Sequence, residues 1–160
     1  MTRLHLSSIP PKARPKARGR IIGERAAVSL YTTEAYKAWR ALALGELRAV
    51  WGDRPPMQGP VEVRALVVIQ RPKGARPLAG VAREWAPRTP DLDNAVKGVF
   101  DAMTEAGVWG DDRQAVALTI HRCWGAVAPR ERGSDPREQQ VESEHIEVVV
   151  TAADGSPGRW

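Results

Sequence analysis

Apolar side chains recur along this chain at two spacings, and the change from one to the other marks out its elements. Tyr36, Trp39, Ala43, Leu47 and Val50 fall three or four residues apart, the repeat of a buried stripe on an α-helix. Thr32 and Thr33 stand in front as N-cap residues, so a helix is expected from there to about Trp51, with a turn-rich break over Gly52 to Pro60. From Val61 to Gln70 the spacing becomes two. Val61, Val63, Ala65, Val67 and Ile69 share one face, and Leu66 and Val68 make the other face apolar too, as in a strand central to its sheet. Leu4 to Ile9, Ala115 to Trp124 and Ile146 to Thr151 read as further strands, and Ile21 to Tyr31 as an extended region with a turn near Gly23. A second helix is predicted from about Leu92 to Ala106, docked through Leu92, Val96, Val99 and Met103 and ended by Gly107.

Helices and strands interleave without a strict βαβ repeat. The expected fold class is therefore α/β (α+β), a single compact domain with a mixed β-sheet and helices packed on it. The 160 residues suit one domain over 1–151, with a disordered tail over 152–160. Two long polar loops, Arg71 to Pro90 and about Ala128 to Glu142, interrupt it. Loops of that length in compact domains are often functional.

Charge narrows the partners. The net charge is +5 and the pI about 9.9, which suits a polyanion such as nucleic acid. Lys12, Arg14, Lys16, Arg18 and Arg20 occupy every second position of the segment 10–20, among Pro10, Pro11 and Pro15. Proline keeps that segment out of a helix interior, and extended backbone would put these charges on one side. It reads as a DNA-binding arm or edge, the alternative being a solvated arm. No apolar run approaches the ~18 residues of a membrane span, and no apolar block follows the basic N-terminus as in a signal peptide. Cys123 is the only cysteine and lies in an apolar stretch, so it reads as a reduced packing residue of a cytoplasmic protein.

The chemistry concentrates in Pro90-Asp91-Leu92-Asp93-Asn94-Ala95-Val96-Lys97 and Val108-Trp109-Gly110-Asp111-Asp112-Arg113-Gln114. Asp91 is placed to cap the second helix, while Asp93, Lys97 and Asp101 lie at i, i+4 and i+8 opposite its apolar stripe. Carboxylate oxygens are the hard ligands Mg²⁺ and Mn²⁺ prefer, and Lys97 could steady developing negative charge. On spacing alone a structural reading stays open. Asp91 would then be only a cap, Asp93–Lys97 a surface ion pair, and Asp111-Asp112 a polar turn. Asn94 is the only asparagine in the chain, and its place inside the acidic cluster favours a functional reading.

Pro90-Asp91-Leu92-Asp93-Asn94 with Lys97 and Asp101, then Gly107-Val108 and Asp111-Asp112-x-Gln114, resembles the signature of RusA-type Holliday junction resolvases. Pro11-Lys12-x-Arg14-Pro15-Lys16 is similar to the basic opening segment of that family, and the resemblance spans about Ile9 to Val150. It implies a homodimeric, mixed α/β endonuclease that cuts four-way DNA junctions with Mg²⁺, for which Mn²⁺ substitutes. Carried onto matching positions, it makes Asp91, Asp93 and Asp112 the catalytic metal-binding acids and Lys97 the essential basic residue. Asn94, Asp101 and Asp111 become supporting residues, and no small-molecule cofactor or membrane is implied. Gly98, inside the helix, departs from good helix composition, as does the long charged loop after Ala128.

His5, His121 and His145 show no ligand spacing with one another, so zinc is not expected. Trp109 reads as packing, whereas Trp85, in the loop before the acidic motif, is the better candidate for wedging into a junction. Two other functions remain open: a non-catalytic junction-binding protein, and a basic RNA-binding accessory protein whose acids are structural. Carboxylates beside phosphate weaken adhesion, which argues against the first. The second lacks any RNP-like or KH-like motif.

Overall fold

The computed structural model describes residues 1–11, 16–22, 25–31, 33–72, 83–87, 91–127 and 142–153, with 16–22 and 25–31 described through their backbone pairing. In chain order the elements are β1 (Thr2–Leu6), β2 (Lys16–Ile22), β3 (Arg25–Tyr31), α1 (Glu34–Trp51), β4 (Val61–Ile69), α2 (Leu92–Glu105), β5 (Ala115–Trp124) and β6 (His145–Ala152). A one-turn 3₁₀ helix, Asp112–Gln114, leads into β5. Four strands form a mixed sheet in the order β1-β6-β4-β5, and β2 and β3 pair as a separate antiparallel ribbon. β4 is central as its two apolar faces require, antiparallel to β6 and parallel to β5. The parallel pair is joined through α2, which turns the chain back across the sheet.

The sheet has a helix side and an outer side. Leu4 and Leu6, Val61, Val63, Val67 and Ile69, and Ile146, Val148 and Val150 meet both helices in one core. α1 contributes Tyr36, Trp39, Ala43, Leu47 and Trp51, and α2 contributes Ala95, Val99, Ala102 and Met103. Thr33 caps α1 by accepting the Tyr36 N–H at 3.3 Å, as its position predicts. The stripe ends differently from expectation: Val50 is 42% exposed and Trp51 is buried in its place. Four residues separate Leu47 from Trp51, closer to the 3.6-residue turn than the three to Val50 once the helix drifts around its core. On the outer side Arg3, His5, Glu62, Arg64, Thr119 and His121 are exposed. This side is covered only at one end, where the registered neighbours Val68, Cys123 and His145 are buried.

β1 is shorter than the Leu4 to Ile9 pattern, because Ser7 leaves the sheet to donate its N–H to Glu46 of α1 at 3.1 Å. Trp39 then donates its indole N–H to the Ser8 carbonyl, and Pro10 is buried against α2. Gly98 explains itself at this contact. A Cβ there would stand 3.1 Å from the Pro10 Cβ and 3.5 Å from the Trp39 ring, so the helix accepts glycine's cost of up to about 1 kcal/mol to let the segment close in. Gly107, at φ 78°, ends α2 in the left-handed conformation open to glycine. The segment Ile21 to Tyr31 splits between two strands, and its turn near Gly23 lies outside the described residues. At the other terminus Ala152 is in β6 and Ala153 donates to the Pro60 carbonyl, so order extends past the expected boundary; residues 154–160 lie outside the description.

Candidate active site

α2 begins at Leu92, and Asp91 occupies the N-cap position with extended backbone, φ −64° and ψ 132°. Its side chain makes no capping hydrogen bond. Among the described residues it accepts from the Asn94 amide, at 3.3 Å. The cap expected from sequence is thus one of position alone, and the Asp91 oxygens stay exposed at the helix start. One turn on, Asp93 and Lys97 are both exposed, and the apolar stripe beneath them (Ala95, Val96, Val99, Met103) is buried. The Asp93–Lys97 ion pair of the alternative, structural reading does not form: neither residue belongs to an ion pair among the described residues. Two carboxylates and one ammonium group therefore line this end of α2 uncompensated by each other.

The second acidic group is held more tightly. Asp111 caps the short 3₁₀ turn, accepting the Arg113 N–H at 2.8 Å and clasping the Arg113 guanidinium at 2.9 and 2.8 Å. The Arg113 hydrogen bonds hold the Asp111 carboxyl well below the usual carboxylate range. Gln114 completes a capping box. Its Oε1 accepts from Gly110 and Asp111 N–H groups at 2.8 and 3.2 Å, and its Nε2 donates to the Met57 and Gly59 carbonyls at 2.9 and 2.8 Å. The turn is thereby bolted to the segment that precedes β4, with Asp112 presented exposed at its apex. Sequence reading gave Gln114 no role. The Asp111-x-x-Gln114 spacing of a capping box was the signal that could have found it.

An open pocket of about 340 Å³ gathers Arg40, Asp101, Thr104, Glu105, Asp111 and Asp112. Arg40 of α1 pairs with Glu105 across it. Trp109 is buried as expected, its indole N–H on Thr104 and its ring in a T-shaped contact with Phe100. Asp112 lines this pocket with Asp101 and Asp111, whereas Asp91 and Asp93 do not line it. Among the described residues the donor atoms of Asp91, Asp93 and Asp112 do not close to within 4.8 Å of one another. The donor set fits a hard divalent cation, since every member is an exposed carboxylate and Asp91 spends no oxygen on the backbone of its helix.

Among the described residues, the acids and imidazole that do cluster closely are Glu142, His145 and Glu147, whose donor atoms lie within 4.8 Å of one another. Arg83 already sits there, bonded to Glu142 and, at 2.9 Å, to Glu147. A guanidinium supplies the positive charge this group needs, so it reads as an ion-pair clasp holding the ends of the two long loops. The Arg83 bonds lower the Glu142 carboxyl. At Glu147 burial works the other way, but hydrogen bonds from His145 and Arg83 prevail and the net shift is also downward. Carboxyls lowered in the folded state add stability that is complete above their unfolded values, about 4.3, and is lost as pH falls through the lower folded values. Arg83→Ala is expected to leave two uncompensated acids, lowering the melting temperature at pH 7 more than at pH 3. Melting curves at the two values check this, and equal losses would count against it.

Of the basic segment, Lys16, Arg18 and Arg20 fall at alternate positions of β2, paired with Tyr31, Ser29 and Ala27 of β3. Lys12 and Arg14 lie outside the described residues. From Lys16 onward, the arm expected from sequence is a strand of the ribbon. Burial pushes the Cys123 thiol up, consistent with a packing role. No helix among the described residues is long and apolar enough to cross a membrane. A family model described as endodeoxyribonuclease RusA matches residues 8–132. No curated protein matches the chain.

Proposed function

The chain belongs to the RusA endodeoxyribonuclease family, and from that premise we propose that it resolves four-way DNA junctions by paired, Mg²⁺-dependent phosphodiester hydrolysis. The observation that carries the reading is the state of Asp91. A residue at an N-cap position ordinarily spends its oxygens on the backbone N–H groups of the helix, and this one does not. Asp91, Asp93 and Asp112 are the residues that would hold the metal, with Mn²⁺ an acceptable substitute. When bound there, the ion neutralises the scissile phosphate and acidifies a water molecule. Lys97 donates to the phosphate oxygens as negative charge builds on them. Asn94 orients Asp91, while Asp111, through its clasp on Arg113, fixes the turn that presents Asp112. The basic residues Lys12, Arg14, Lys16, Arg18 and Arg20 track the backbone of the arms.

A homodimer follows from two considerations. A four-way junction is close to two-fold symmetric, and paired incisions call for two equivalent sites. A labelled junction and a matched linear duplex, incubated with Mg²⁺ or with EDTA, test the whole reading. Nicks in junction arms with Mg²⁺, none in EDTA, and an intact duplex are expected. Equal cutting of duplex would remove the junction specificity, and no cutting with any divalent metal would favour a binding protein instead.

A further inference from the structure

The outer side of the sheet carries a surface that hydrolysis does not use. Trp85 is 70% exposed, the most exposed aromatic residue among those described. It is nonetheless held by firm backbone. Glu84 accepts the Trp124 N–H at 2.7 Å, Ala86 donates to the Arg122 carbonyl at 3.1 Å, and the Arg122 Nε returns to the Ala86 carbonyl at 2.6 Å. Residues 84–86 thus run along the last turns of β5 as a short added strand, with Trp85 bridged to Cys123. The indole lies against the exposed His121 ring, centroids 5.1 Å apart and planes 34° off parallel. An amphipathic ring left in water on rigid backbone, backed by a second ring, is the form of a stacking platform.

Register places one cation close to it and a second two strands further along the same face. Arg64 of β4 is opposite Thr119 of β5, and Val149 of β6 joins Arg64 to Arg3 of β1. Arg3, Arg64, Thr119 and His121 are all exposed. Arg64 stands one strand over and two residues along from His121, about 8 Å away by sheet spacing. That separation lets a guanidinium reach the phosphate of a nucleotide whose base lies on the platform. Trp85 is six residues before Asp91, so at most about 21 Å of chain divides platform from acids.

We propose that Trp85 and His121 form a stacking site for an unpaired DNA base, with Arg64 and Arg3 receiving its flanking phosphates. The occupant is single-stranded or unstacked DNA, because a base inside an intact duplex offers no free face. The proposal rests on the reading that the chain acts on branched DNA, where bases at the crossover can open. It differs from the basic ribbon in kind, since phosphate contacts are the same on every DNA shape whereas stacking requires an open base.

The test is binding in EDTA to three labelled DNAs: oligo-dT, a four-way junction and a blunt duplex. Trp85→Ala is expected to weaken oligo-dT and junction binding by about tenfold and duplex binding by less than twofold, while Trp85→Phe stays close to wild type. An equal loss on all three DNAs, or no loss, overturns the platform. So does a fall in sedimentation mass of Trp85→Ala relative to wild type, which would make Trp85 a contact between copies. Junction cleavage by the wild-type chain in Mg²⁺ is measured alongside. A wild-type chain that cuts, with Trp85→Ala binding unchanged, removes the platform alone. A chain that never cuts but still shows the selective tenfold loss removes the nuclease reading and leaves the platform standing.

Discussion

Asp93→Asn is expected to cut four-way junctions several orders of magnitude more slowly than the wild-type chain while folding and binding normally. The substitution keeps the volume of the side chain and removes one negative charge and one strong metal ligand. Water activation and phosphate neutralisation both depend on the same ion, so both are lost together. Binding without metal should hold or tighten, because one repulsion against the phosphate disappears. Folding has little at stake. Asp93 is exposed and has no ion pair with Lys97, so what remains is its interaction with the helix N-terminus, about half a kcal/mol. Junction affinity in EDTA, cleavage rate in Mg²⁺ and melting temperature separate the three effects. Asp91→Asn and Asp112→Asn should behave alike, Asp91 without a capping penalty because its side chain makes no cap bond. A folded Asp93→Asn chain that cuts at the wild-type rate would show that these carboxylates are structural.

Lys97→Ala should reduce cleavage by about 100- to 1,000-fold, the cost of removing one group aimed at charge that develops in the transition state. A lysine held by a surface ion pair would lose part of that effect to its partner. Lys97 has no such partner among the described residues, so its ammonium group is available to the phosphate. Junction binding in EDTA should change by no more than one phosphate contact, and Lys97→Arg should recover part of the rate. The decisive comparison is cleavage at saturating enzyme, where binding differences vanish. If Lys97→Ala matches wild type there, the residue serves adhesion alone.

How far the chain could be read from sequence depended on whether each feature was local. The limits of α1 at Thr33 and Trp51, the span of β5 and the stop at Gly107 all follow from side chains within a turn of one another, and the structure has them as read. Asp93, Lys97 and Asp101 share the exposed face of α2 for the same reason. The β2 and β3 stretches read as extended, but their pairing as a separate ribbon was not legible. Lys-Ala-Arg-Gly-Arg alternates charge with small residues and carries no apolar stripe to announce a partner strand. The clasp at Arg83 joins side chains 59 and 64 residues apart, a distance no local pattern spans.

Pro10, pressed into the gap that Gly98 leaves on α2, acts as a fixed tether point for the basic segment. Only one residue lies between it and Lys12, and Gly98 is the immediate neighbour of Lys97. Once the segment grips a phosphate, the strand it holds is no longer drawn from bulk solution. Its effective concentration at α2 is set by a short linker, of order millimolar. On the proposed function, a helix glycine that costs local stability would convert a second, independent encounter with DNA into an intramolecular one. Loosening that tether would slow delivery of the strand without altering a single group that touches the scissile bond.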